Sequence, residues 1–416
     1  MTVESGTYAD FSKTVHGGLY AARVPVNGSI EITNRCPLNC AHCYNNLPMG
    51  DFVARARELT TEEHFRLLDE LAEMGTLWLL FTGGEIFARR DFLEIYTYAK
   101  KKGFLITLFT NGTLITEEIA DYLVRWPPVE IEITLYGATR ATYERLTGVP
   151  GSYDRCMRGI RLLLDRKLPL KLKTVVVSIN KHEIDDMRAI AEHFGCEFKS
   201  DAMMTPRIDC SASPLAVRLA PHEIVEIDLR NPQFVADWRR MAAQFEEPED
   251  NSQIYDCGGG VSAWAIDPYG DLSICVLSHN DRYNVRDGSM REGWGRYLLD
   301  VRTRPRTRLT KCTSCALRSV CGSCAATAEL ENGDAEEPVE FLCRTAHLRA
   351  MTFDVPIPPH GDCDYCPSGN KFEMTRMTAE ALRLGATEQL AAADVTAPVT
   401  AAASCATGGC STCATK

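Results

Sequence analysis

The chain has 416 residues, 45% of them hydrophobic, which suits two domains plus extensions rather than one compact domain. Its formal net charge of −11 excludes a nucleic-acid partner, which needs a basic face. It contains no apolar run of about 18 residues and no basic-then-apolar start, so a cytoplasmic protein with no membrane span or secretion signal is expected.

Residues 1–28 read as an N-terminal extension. Residues 29–215 then alternate strand-like and helix-like segments. The strand candidates Ser29–Thr33, Leu77–Phe81, Phe104–Phe109, Val129–Leu135, Leu170–Val177 and Cys196–Met203 are short, apolar runs rich in Val, Ile, Leu or Phe. Between them, Thr60-Thr61-Glu62-Glu63 forms a capping-box pattern before His64–Met74. Asp91 opens a helix that stops near Gly103, and Thr116 opens Glu117–Trp126, which Pro127-Pro128 ends. Tyr153–Arg166 and Lys181–Phe194 complete the series. Six βα units predict an α/β fold with a parallel sheet, curled into a partial (β/α)6 TIM-like barrel. Residues 216–255 are expected to form a helical bridge, with one long helix over Pro221–Phe245. Residues 256–350 are Cys- and Gly-rich, a segment expected to be organised by metal rather than by a large apolar core. An extension with a Cys pair covers 351–384, and the Ala/Thr/Ser/Gly-rich tail 385–416 is expected to be disordered.

Eighteen cysteines, most of them in tight clusters, point to metal ligation in a cytosolic chain. The first cluster, Cys36-Pro-Leu-Asn-Cys40-Ala-His42-Cys43, directly follows the first strand. Three thiolates can hold a 4Fe–4S cluster with one iron left open. On this segment alone, a zinc site with a distant fourth ligand is the alternative. The Cys-x3-Cys-x2-Cys spacing at the end of strand one resembles the radical S-adenosylmethionine (SAM) superfamily. That resemblance implies that the SAM amino and carboxylate groups bind the open iron. Reductive cleavage then yields methionine and a 5′-deoxyadenosyl radical, which takes a hydrogen atom from the substrate. It also places His42, where relatives usually carry an aromatic residue, near the adenine.

A second motif, Thr82-Gly83-Gly84-Glu85, ends the second strand. Its glycines permit close backbone approach, and its carboxylate can accept from an ammonium. In this position it resembles the family element that holds the SAM amino group. Asn111, after the third strand, is either a turn residue or part of the ligand rim. Ser178 and Asn180, after the fifth, either touch the SAM ribose or carboxylate or cap a helix. Arg145 either faces the SAM carboxylate or lies in solvent. Cys156 and Cys196 read as core residues.

Cys257, Cys275, Cys312, Cys315, Cys321, Cys324 and Cys343, with the segment Tyr283–Trp294, resemble the SPASM extension, which binds up to two auxiliary clusters. The resemblance implies an outer cluster on Cys312, Cys315, Cys321 and Cys343. It implies an inner one on Cys257, Cys275 and Cys324, with Asn251 standing where some members have a further Cys. Two structural zinc sites are the alternative for this segment taken alone. Cys363-Asp-Tyr-Cys366 could bind metal, cycle as a dithiol or extend an auxiliary site. Cys405, Cys410 and Cys413 read as flexible reduced thiols or as a redox, metal-delivery or peptide tail.

The resemblance implies a radical SAM enzyme that matures a peptide or protein. Modification of a haem-type porphyrin is the second expectation, and a non-catalytic iron–sulfur carrier the third. Val276 follows Cys275 where the sulfatase-maturing branch carries Asp, which counts against that branch. The implied partners are an electron donor such as flavodoxin or ferredoxin, a peptide or small-molecule substrate, and a separate leader-binding protein if the substrate is a peptide.

Overall fold

The computed structural model describes residues 17–243 and 252–393. Asn251, Cys405, Cys410 and Cys413 therefore lie outside the described residues.

All six anticipated strands are present: β1 (Asn27–Glu31), β4 (Trp78–Thr82), β5 (Leu105–Thr110), β6 (Glu130–Thr134), β7 (Leu170–Val175) and β8 (Glu197–Asp201). They pair in parallel in the order β1-β4-β5-β6-β7-β8. Two short parallel strands, β2 (Arg35–Cys36) and β3 (Leu47–Pro48), form a separate clip after β1. The β6 and β7 sequences alternate strictly. Ile131, Ile133 and Leu172 are buried on one face. Glu130, Glu132, Lys171 and Lys173 share the other, where Lys171 pairs with Glu130 at 2.6 Å and Lys173 with Glu132 at 3.0 Å. Cross-strand opposite charges are favourable, so this face carries an ionic ladder that Lys199 of β8 extends to Glu132 at 2.9 Å.

The helices start and stop where local chemistry directs. Thr60 accepts from the Glu63 amide while Glu63 accepts from the Thr60 amide, closing the capping box of Thr61–Glu73. Gly103, in the left-handed region at φ 94°, ends Phe92–Lys102. The short helix Arg140–Thr147 was not anticipated. The single helix expected over 221–245 is two, Pro221–Leu229 and Pro232–Ala243. Pro232 has no N–H to continue the first helix, and Asn231 caps the second by accepting from the Gln233 and Phe234 amides.

Two compact units emerge, and they are not consecutive segments. The first holds residues up to Arg218 together with Gly258–Thr303; the second holds Leu219–Cys257 and the chain from Arg304. The boundary expected near residue 256 is thus corrected, because 258–303 completes the sheet. Here β9 (Ala263–Ile266) pairs in parallel with the free edge of β1, then β10 (Asp271–Ser273) and β11 (Tyr283–Asn284) add antiparallel. The apolar run Trp264-Ala265-Ile266 gives β9 the composition of a buried strand, each residue at most 3% exposed.

The second unit also departs from expectation, since it owns an apolar core. Helix Glu340–Phe353 brings Leu348 and Phe353 onto Val225 and Trp238. Trp238 stacks on Phe353 at 5.4 Å, and Arg349 pairs with Asp228 at 2.7 Å. Among the described residues no helix is long and apolar enough to cross a membrane.

Candidate active site and auxiliary metal region

The site-forming residues follow the C-terminal ends of the parallel strands, where loops converge in barrels of this type. Cys36 ends β2, and Cys40 and Cys43 lie in the loop from there to β3, so the clip closes both ends of the ligand segment. Helix Arg140–Thr147 holds its middle: the Asn39 and Ala41 amides donate to the Thr147 and Leu146 carbonyls at 2.9 and 3.0 Å. From beyond β8, Arg207 donates to the carbonyls of Cys43 and Asn46.

The three sulfurs influence one another. Burial pushes the Cys36 thiol up to about 12, with Glu85 and Cys43 adding to the effect. Burial, then Cys43 and Cys36, raise Cys40. Donors point the other way: the Leu38 amide and the Asn111 side-chain amide each reach Cys36 Sγ at 3.4 Å, and the Tyr136 hydroxyl donates to Cys40. Thiols that burial disfavours as free thiolates, with N–H and O–H groups aimed at Cys36 and Cys40, are well suited to bind iron, whose charge removes the penalty. The donor set fits a cluster. His42 is buried, and its ring lies 5.3 Å from that of Tyr136.

Gly83 and Gly84 are needed for a reason the sequence did not reveal. A Cβ on Gly83 would sit 2.3 Å from the Thr33 carbonyl oxygen, and one on Gly84 would sit 2.5 Å from that of Asn34. The glycines let the β4 turn lie directly on the segment entering the cysteine loop, where the Gly84 amide donates to Thr33 O at 2.7 Å. Glu85 is likewise not a free carboxylate. It accepts from the Thr110 hydroxyl at 2.7 Å, the Asn111 amide at 2.8 Å and the Phe87 amide at 3.2 Å. Burial holds its carboxyl up to about 7. It thus ties the β4 turn to the β5 turn and places Asn111 against Cys36.

Ser178 is exposed at the end of β7, and its amide donates to the Val217 carbonyl. Asn180 is fully buried and binds backbone at Val177, Tyr136 and Val175, a locking role rather than a helix cap. Arg145 is exposed, and Cys156 is buried in the core.

Sequence reasoning missed the support beneath the loop. Glu58 accepts from the Thr33 hydroxyl at 2.5 Å and grips Arg35 through both oxygens at 2.9 and 3.0 Å. Arg89 lies 4.0 Å from the same carboxylate and pairs with Asp91. The Arg35 and Glu58 side chains are only 7% and 6% exposed. Nothing local signals this network, since its partners lie more than twenty residues apart in sequence.

In the second unit, Cys312, Cys315, Cys321, Cys324 and Cys343 line one cavity beside Arg318. Burial raises Cys312 and takes Cys321 up to about 12, while Lys311 and Arg306 act on Cys312 in the opposite sense. Cys324 caps helix Ala325–Asn332 by accepting from the Thr327 amide at 3.5 Å. Gathered thiols beside cations, one at a helix N-terminus, suit thiolate ligation of a cluster. Cys257 belongs to this unit and Cys275 to the first.

Comparison with known proteins agrees with this chemistry. Residues 30–193 match the Radical SAM superfamily. The AdoMet-dependent heme synthase of Methanosarcina barkeri strain Fusaro is 28% identical over 334 residues, 74% of this chain and 94% of that protein. The PqqA peptide cyclase of Rhodopseudomonas palustris is 27% identical over 336 residues, 75% of this chain and 85% of that one. SuiB of Streptococcus suis shares the fold. Bound to S-adenosylmethionine it gives a TM-score of 0.59 at 16% identity over 82% of each chain. Bound to the precursor peptide SuiA it gives 0.60 at 15% identity, over 82% of this chain and 83% of that one. Residues 30–193 thus form a radical SAM domain, and the relatives that extend beyond it are radical SAM enzymes of the heme synthase and peptide cyclase types. The chain is an enzyme whose cofactors are SAM and a 4Fe–4S cluster, and its Cys-rich C-terminal region fits auxiliary clusters.

Proposed function

We propose that this enzyme modifies a peptide or protein, with Cys36, Cys40 and Cys43 holding the SAM-binding cluster. The observation that carries the site is the convergence of three thiols in one short segment, with donors from Leu38 and Asn111 on Cys36 and from Tyr136 on Cys40. The bound cofactors would supply a carbon-centred radical that removes hydrogen from the substrate. This chain's own residues do the rest. Asn111 and Tyr136 orient the sulfurs. Glu85 positions Asn111, and the Gly83-Gly84 backbone fixes the distance between the β4 turn and the cysteine loop. Ser178 and His42 would contact SAM. Cys312, Cys315, Cys321 and Cys343 would hold the outer auxiliary cluster, and Cys257, Cys275 and Cys324 the inner one. A flavodoxin or ferredoxin would deliver the electron, and a separate protein would present a leader peptide.

The peptide class rests on the peptide cyclase relative and on the fold shared with SuiB. The heme synthase relative, matched over 94% of its length, favours a porphyrin as the second reading. The test is anaerobic reconstitution and reduction, followed by assay of 5′-deoxyadenosine. Wild type should form it; the Cys36→Ala/Cys40→Ala/Cys43→Ala variant should not, while keeping its auxiliary iron. Product from that variant would refute the site. Deuterium transfer into 5′-deoxyadenosine from a labelled peptide, but not from a labelled iron porphyrin, would support the peptide class, and the reverse would replace it.

A further inference from the structure

Helix Glu340–Phe353 is followed by eighteen residues, Asp354–Lys371, with no helix or strand. A segment of this length needs an anchor, and beyond Val355, which joins the apolar core, its buried residues are His360, Cys363, Tyr365 and Cys366. Cys363, Tyr365 and Cys366 cluster with Cys343 of the helix. Four potential donors, His347, His360, Cys363 and Cys366, are all buried, and their ligand atoms lie within 4.8 Å of one another.

The hydrogen bonds fix which ring nitrogens are available. His347 Nδ1 lies 2.8 Å from the Cys343 carbonyl oxygen, and His360 Nδ1 lies 2.9 Å from that of Pro358. A carbonyl oxygen can only accept, so both Nδ1 atoms carry hydrogen and both Nε2 atoms offer a lone pair. Metal-ligating histidines typically anchor their second nitrogen in this way. His347 Nε2 is 3.6 Å from Cys363 Sγ, and Cys366 Sγ lies beside the His360 ring, 3.2 Å from Nδ1 and 3.8 Å from Nε2. Zinc bonds of about 2.3 Å to sulfur and 2.0–2.1 Å to nitrogen give a tetrahedral S···N edge of about 3.6 Å. The Cys363–Cys366 turn is built for the purpose: a Cβ on Gly369 would sit 2.2 Å from the Asp364 carbonyl oxygen, so only glycine lets the chain fold back there. Tyr365 packs its ring 5.3 Å from His347 and donates to Glu340 at 2.6 Å, closing the site from the side.

We propose that His347, His360, Cys363 and Cys366 bind one structural Zn2+ that staples the 354–371 segment to helix Glu340–Phe353, separately from the iron–sulfur clusters. Binding releases two protons from the Cys and His set to solvent, which leaves two thiolates and two neutral imidazoles around the ion. One ion, rather than a cluster, follows from the spacing. A two-iron cluster with two Cys and two His carries each pair on a different iron, and a cubane places every ligand on its own iron. Neither brings four donors into one tetrahedron's span. Two imidazoles and two thiolates, closed and buried, form a donor set that zinc prefers. Cys343, one helical turn before His347, is left to the outer cluster.

The test is metal content and X-ray absorption of the full-length protein, produced with both zinc and iron, handled anaerobically and passed over a chelating column. About one zinc per chain is expected, with two sulfur and two nitrogen neighbours. Cys363→Ser/Cys366→Ser should lose that zinc and keep its iron. His360→Cys preserves a four-donor set, so it guards against a variant that fails to fold; it should retain zinc and change the shell to three sulfurs and one nitrogen. No zinc in the wild type, iron lost together with zinc in the serine variant, or an unchanged shell in His360→Cys would each overturn the proposal.

Discussion

Glu58 offers the sharpest test of how the cysteine loop is supported. Changing it to Ala removes the acceptor for the Thr33 hydroxyl and both bonds to Arg35, directly before Cys36. Arg89 keeps Asp91, but Arg35, 7% exposed in its side chain, loses the carboxylate that its guanidinium grips. Breaking a buried pair by removing one partner costs about 3–5 kcal/mol, because the other charge stays buried. For a unit of this size each kcal/mol moves the unfolding midpoint by about 2–4 °C, so a fall of roughly 10 °C is expected. The assay is anaerobic thermal unfolding with parallel iron analysis. The variant should also lose iron from the Cys36 site, since Arg35 sits in the clip that closes the loop. Replacing both partners, as Arg35→Met/Glu58→Met, removes the orphaned charge and should recover most of the loss. A Glu58→Ala shift under about 2 °C with full iron, or a double variant no better than the single, would refute the argument.

Two further predictions concern charge and iron. Burial holds both Glu31 and Glu85 at about 7, above the usual 4.5. A raised carboxyl pKa means that the folded state keeps a proton the unfolded state has released. These groups therefore favour folding fully below about pH 4.5 and lose that contribution as pH rises to about 7. Glu31→Gln/Glu85→Gln should flatten the decline of the melting temperature between pH 5 and 7, and an unchanged slope would count against the assignment. In the variant lacking Cys36, Cys40 and Cys43, Mössbauer and iron analysis should find about eight irons for two full auxiliary cubanes, or about six if the inner cluster is smaller. No iron there would remove the auxiliary clusters from the account.

The parts of this fold that local chemistry specifies were readable from sequence. The strands β1 and β4–β8 announce themselves as apolar or alternating runs, and Cys36, Cys40 and Cys43 by spacing. Asn111 was legible by its place after β5, but its amide contact to Cys36 Sγ was not. What escaped was set by residues far apart in the chain. β9 joins β1 across more than two hundred residues, and Glu58 reaches Arg35 across twenty-three. The Cys363 and Cys366 pair was legible by its spacing, but His347 sits mid-helix and His360 in a loop without periodicity, and nothing local marks either as a ligand. Glu85 looked like a free carboxylate because its acceptor sites are filled from the next strand's turn.

The position of β9 bears on how this protein can be made. β1 gains β4 early in synthesis, but its other edge is covered only by Ala263–Ile266. At about 5–20 residues per second, the ribosome takes roughly 10–50 s to deliver that strand, during which a strand destined for the middle of the sheet has an open side. Successful production therefore depends on shielding a nascent edge, and a fragment ending before residue 263 would keep it permanently. Expression of residues 1–218 alone would yield a sticky, self-pairing product rather than a miniature enzyme.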